Sequence, residues 1–150
     1  MLAILSLAIS LSWPGGLGHT QTTPLDWRRT DMSADTFGAT AFTPEVDGVH
    51  RVIVVVRAPV DRSSASGAYR SLVMEAEVRC GERLWQIMAM TYYAADYSIV
   101  RSVGPIPEAP LIRETPLHAA VTDVCDGGHT GAIGITTDDP IAVQRWLGGL

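Results

Sequence analysis

The chain has 150 residues, 47% of them hydrophobic and 18% charged, a globular composition that excludes wholesale disorder and leaves room for one core. Its formal net charge is -5, and its 11 basic residues are all arginine, with only Arg28 and Arg29 adjacent. The basic stripe that a phosphate backbone requires is missing, so nucleic acid is excluded as a partner.

Leu2 to Leu11 form an apolar run too short to span a bilayer, followed by Trp13-Pro14-Gly15-Gly16 and the small residues that end at Gly18. This layout predicts a signal peptide over 1–18 and an exported domain over 19–150. The n-region carries no Lys or Arg, and on the alternative reading the run is a first core strand. No cysteine follows it, so a lipid anchor at a new N-terminus is not expected. The protein is read as periplasmic or secreted, without a transmembrane segment after cleavage.

From 19 onward the chain is polar until Trp27, and it is expected to join a sheet near Leu25 to Arg29. Phe37 to Pro44 is a short strand candidate, and Asp47-Gly48 is the strongest hairpin signal. Val52 to Val56 is β-branched throughout and apolar on both faces, as a central covered strand would be. Val60 to Tyr69, rich in Ser, Gly and Ala, reads as a loop. In Leu72 to Cys80 the even positions are apolar or small while Glu75, Glu77 and Arg79 are odd, which is the period of a strand with one wet face. Gly81 and Glu82 break the run, and Leu84 to Tyr93 is the return strand. Ala94 to Asp96 leads into Tyr97 to Val103, the last strand of the meander. Gly104 to Pro110, with three prolines, predicts a surface crossing.

Thr115-Pro116 is an N-cap followed by proline at the first helical position, with Leu117, Ala120, Val121 and Val124 at helical spacing until Gly127-Gly128. Residues 126–150 are an additional C-terminal segment, with an edge strand through "HTGAIGI" and a second helix after Asp139-Pro140. Two cysteines behind an export signal predict one disulfide, Cys80 to Cys125, with two unrelated buried thiols as the alternative. The fold class is therefore α+β: an antiparallel meander with a short C-terminal helix on one face, stapled by that disulfide.

An early Trp27, "GATAFTPE" before a β-branched strand, "EAEVRCGERLWQIM" as a cysteine-bearing hairpin, "PIPEAP" and "VTDVC" together resemble the surface-adhesin protein E type of small exported bacterial domain, over Trp27 to Cys125. The resemblance implies an antiparallel sheet with a packed helix, a disulfide from strand to helix, and binding of host proteins at the bacterial surface. The chain departs from that type by running 25 residues past Cys125 and by lacking a lipid-accepting cysteine.

His50, His118, His129, Asp96, Asp123, Asp126, Asp138 and Asp139 are the polar groups from which catalysis or a metal site would have to be built. His118 and Asp123 are five apart and point to different helix faces, so the spacing does not describe a metal site. No nucleophile elbow and no phosphate loop is present. The expectation is a binding protein with no catalytic residues, no metal and no cofactor. Tyr92, Tyr93, Tyr97 and Arg101 are the contact-surface candidates, because Tyr and Arg supply most binding hot spots; cross-strand pairs that only stabilise the sheet are the competing reading. The partner is expected to be a protein of the cell envelope or host. A periplasmic inhibitor or immunity-like protein of a cell-wall hydrolase, inserting Ser63 to Gly67 or Gly104 to Pro110, is the alternative, and a metal-dependent enzyme around His118, Asp126 and His129 the third.

Overall fold

The computed structural model describes residues 24–33, 36–112, 114–127 and 133–149. The segment expected to be a signal peptide, with its expected cleavage site, lies outside the described residues, as does His129. Among the described residues, eight strands and two helices run in the order β1 (Leu25–Ser33), β2 (Thr36–Phe42), β3 (His50–Ser64), β4 (Gly67–Arg79), β5 (Leu84–Tyr93), β6 (Ile99–Val103), β7 (Ala109–Pro110), α1 (Pro116–Cys125), β8 (Ile133–Thr137) and α2 (Pro140–Gly148). The strands form one antiparallel sheet ordered β6-β5-β4-β3-β2-β1-β8, with β7 paired to β5 beside it.

The meander follows from the turns. Asp47 and Gly48 both take positive φ, as a tight hairpin demands, and Val46 and Val49 pair across them. The β3 pattern explains how the sheet is covered. Even residues Val52 and Val54 join Met74, Ala76, Val78 and Trp85 in one buried cluster that includes Val121 and Val124 of α1. Odd residue Val55 joins Trp27, Ala39, Ala41 and Val73 in a second cluster that includes Val143 and Leu147 of α2. Because successive side chains of a strand point to opposite faces, these are the two sides of the sheet, called here the first and second face. The C-terminal segment adds the edge strand β8 and the helix α2, whose Val143 and Leu147 belong to the second cluster.

The disulfide is formed, Cys80 to Cys125, joining the end of β4 to the last residue of α1. Thr115 caps α1 by accepting from the His118 N–H, and Asp139 caps α2 by accepting from Ile141, each with proline at the first helical turn. Among the described residues, no helix is long and apolar enough to cross a membrane.

One expectation is overturned. Val60 to Tyr69 is not a loop but the end of a long hairpin, in which Arg62, Ser63 and Ser64 pair with Tyr69, Ala68 and Gly67 around a turn at Ala65-Ser66. Its small polar residues mislead because both faces of this arm are in water, so no apolar alternation marks it. Between Arg57 and Arg62 the register slips, placing Ala58 to Asp61 opposite Arg70 alone. Such a bulge bends a strand pair, and the proline that would interrupt a regular ladder, Pro59, sits within it.

The Pro-rich crossing is held against the outer edge of β5. Ile106 donates its N–H to the Ile87 carbonyl at 2.8 Å, and Gly104, at φ +125°, lies where a Cβ would stand 2.6 Å from the Met88 carbonyl oxygen. Only glycine fits there.

Candidate binding surfaces

Strand alternation decides the fate of the four contact candidates. Tyr92 follows Met90 on the first face, and its partner across β5 and β6 is Arg101. The Arg101 guanidinium lies 4.7 Å from the Tyr92 ring centroid, Tyr69 meets the same ring edge-on at 5.0 Å, and the Tyr92 hydroxyl donates to Met90 Sδ. Tyr93, one residue on, packs instead into the second cluster. Tyr97 also serves the second face, where the guanidiniums of Arg57 and Arg145 stand 5.4 and 5.3 Å from its ring centroid. The structure therefore divides Tyr92 and Arg101 from Tyr93 and Tyr97, making two Arg–Tyr groups back to back at one end of the sheet. All four residues are half-buried.

The turn that presents Tyr97 is built by Asp96. Ser98 donates to its carboxylate from the side-chain hydroxyl at 2.6 Å and from the backbone N–H at 3.0 Å, which holds the Asp96 carboxyl below the usual range. Tyr97 takes φ +68° as the chain reverses there.

The Tyr93 hydroxyl is pushed up from its ordinary value, first by burial and then by the negative charges of Glu75 and Asp139. Its tyrosinate is disfavoured only in the folded chain, so the unfolded chain gives up this proton first. The resulting stability is complete below about pH 10 and is lost as pH rises through the raised value. Following tyrosinate absorbance in the native protein should show one of the four tyrosines ionising after the rest, and Tyr93→Phe should remove that late fraction. Ionisation of all four together would contradict the assignment.

The bent arm lies beside this end of the sheet. Asp61 pairs with Arg70 at 2.9 Å across the bulge, and a Cβ on Gly67 at the arm tip would stand 3.6 Å from Val100 of β6. Two large apolar side chains are exposed here, Val60 at 61% and Ile99 at 64%. Neither was singled out by the sequence, since their exposure depends on the bulge and on β6 being an edge.

At the opposite end of the sheet is a cleft of about 870 Å³, within the size range of small-molecule sites. Leu25, Pro44, Ile53 and Pro140 give it apolar walls, and Arg51 pairs with Glu75 at 3.2 Å along it. These residues come from β1, the β2–β3 connection, β3, β4 and α2, so no local motif announces the cleft. It can take an apolar group with one polar end.

The remaining polar candidates are engaged in structure. His50 sits with Nδ1 3.1 Å from the Thr43 carbonyl oxygen and Nε2 3.4 Å from Glu45, stitching the hairpin. His118 packs edge-on to Trp85 at 5.2 Å, while Asp126 accepts from Arg83 at 2.9 Å. Asp139 is a helix cap, Asp138 lines the cleft and Asp123 is half-buried on α1. Among the described residues, no three His, Cys, Asp or Glu side chains gather as metal ligands. The chain matches no family model, no curated protein and no solved structure.

Proposed function

We propose that the chain is an exported, non-enzymatic interaction domain that binds a protein of the cell envelope or host through the bent arm and β6. One observation carries this reading: Val60 and Ile99 are exposed at the end of the sheet that also holds the Tyr69–Tyr92–Arg101 stack. Exposed apolar residues beside rigid aromatic and arginine side chains have the composition of a binding hot spot. The disulfide supports an oxidising compartment, in keeping with the export expected from the N-terminal run. The adhesin-like character rests on the sequence resemblance.

The test changes residues that the core does not use. Val60→Asp with Ile99→Asp is expected to leave the melting temperature within a degree or two, since exposed positions rarely affect stability. The same variant is expected to reduce capture of an envelope or host protein at least roughly tenfold, as loss of a hot spot does. Full capture by the folded variant would overturn the reading.

The bent arm favours a second reading, a plug for a cell-wall hydrolase. Of the two segments considered for insertion, Gly104 to Pro110 is tied to β5, whereas Ser63 to Gly67 is exposed or half-exposed at the tip of a hairpin. Inhibition of one member of a lysozyme panel, abolished by shortening the arm at Ala65-Ser66, would establish it. Complete inactivity at high excess against the panel would count against it.

A further inference from the structure

The interface between α2 and the second face contains donors without acceptors. Gln144 is fully buried on α2, and its Oε1 accepts from the Ser71 hydroxyl, yet its Nε2 has no partner. Ser71 lies directly across from Arg57 in the β3–β4 ladder. The Arg57 side chain runs beneath the last turn of α2, where a Cβ on Gly148 would stand 2.8 Å from its Nε; Gly148 is one turn beyond Gln144. Arg57 Nη1 is likewise buried and without an acceptor. Register and contacts thus place both unpartnered donors beneath α2, on the face of the sheet that holds Ser71.

A third donor stands at the solvent side. Arg145, exposed, shares the Tyr97 ring with Arg57. Among the described residues, neither arginine has an ion-pair partner. The acids whose charges act on Tyr93, the cross-strand partner of Ser71, are Glu75 and Asp139, and both are occupied: Glu75 by Arg51, and Asp139 as the cap at the far end of α2. Arg57 and Arg145 therefore share one ring with no described carboxylate paired to either. A buried charged N–H without an acceptor is costly, and an anion that accepts from it removes that cost.

We infer that Arg57, Gln144 and Arg145 form a binding site for a small oxyanion, a carboxylate or phosphate group, received by Arg57 Nη1 and Gln144 Nε2 on the inside and by Arg145 at the entrance. Arginine suits the role because its fork donates to two oxygens of one planar or tetrahedral group. Tyr97 holds both guanidiniums in place without competing as an acceptor carboxylate would.

The experiment is a titration of the full chain with sodium phosphate and, separately, sodium acetate, at ionic strength held constant with sodium chloride. Side-chain NMR reads the Gln144 amide and the Arg57 Nε–H. Saturable shifts of both signals are expected, with the tighter of the two salts distinguishing a phosphate from a carboxylate ligand. Arg145→Ala, at an exposed position, is expected to weaken binding about tenfold, the loss of one charge-assisted hydrogen bond. Gln144→Leu keeps the buried volume and is expected to abolish the rise in melting temperature that the anion gives the unaltered chain. Non-saturating shifts, equal shifts in chloride alone, or undiminished binding by folded Arg145→Ala would each overturn the inference.

Discussion

The double variant Cys80→Ser, Cys125→Ser is expected to lose about 4 kcal/mol of stability, the chain-entropy value for a loop of this length. The two cysteines are 45 residues apart, and the loop they close includes β5, β6, β7 and nearly all of α1. Domains of this size are stable by roughly 5–15 kcal/mol, so the loss is a large share of the total. It should also be uneven. α1 is 10 residues long, too short to persist without tertiary support, and the cystine fastens its C-terminal residue to the end of β4. Hydrogen exchange should therefore show α1 opening first, while β2 and β3, central in the sheet, remain protected. Urea unfolding of the oxidised and reduced protein measures the same difference without substitution. A loss below about 1 kcal/mol would show that the cystine constrains the unfolded chain very little.

Trp27→Ala is expected to cost about 3–5 kcal/mol, the range for truncating a large buried aromatic. Trp27 is fully buried between Ala39, Ala41 and Val55 of the sheet and Val143 and Leu147 of α2. Its indole N–H donates to the Thr137 carbonyl at 2.9 Å, so the side chain also ties β1 to the edge strand β8. Trp27→Phe separates these contributions: it keeps most of the apolar volume but leaves the Thr137 carbonyl without that donor, at about 1–3 kcal/mol if the group stays buried. The expected order of stability is the unaltered chain, then Trp27→Phe, then Trp27→Ala, read from urea midpoints. In the alanine variant, amides of β8 and α2 should exchange faster than those of α1, because α1 belongs to the other cluster. Equal loosening of both helices would show that the two faces behave as one unit.

Much of this architecture was legible from local signals. The alternation in β4 marked Met74, Ala76 and Val78 as inward and placed Cys80 at the strand end, and the β-branched run in β3, apolar on both faces, marked a central strand, although a roof was expected on one face alone. Thr115-Pro116 and Asp139-Pro140 announced both helices, since each cap needs only an oxygen acceptor and a proline whose missing N–H costs nothing at a helix start. The pairing of the two cysteines was expected from their number and from the N-terminal run read as an export signal.

What escaped the sequence depends on which strands become neighbours. Tyr92 and Tyr93 are adjacent in the chain and were grouped with Tyr97 and Arg101, but a strand sends consecutive side chains to opposite faces, and only the register with β4 and β6 shows which face each takes. The Asp139-Pro140 start announced a second helix but not the residues it buries, Val143, Gln144 and Leu147. A buried glutamine has no signature of its own, because its burial depends on Ser71, 73 residues earlier, supplying a hydrogen bond. The arm from Val60 to Tyr69 carried no apolar alternation, since neither of its faces meets a core. Sequence periodicity records what a strand must hide from water; it therefore determined the sheet and its two helices, while the cleft, the paired arginines and the exposed arm were decided only where distant segments met.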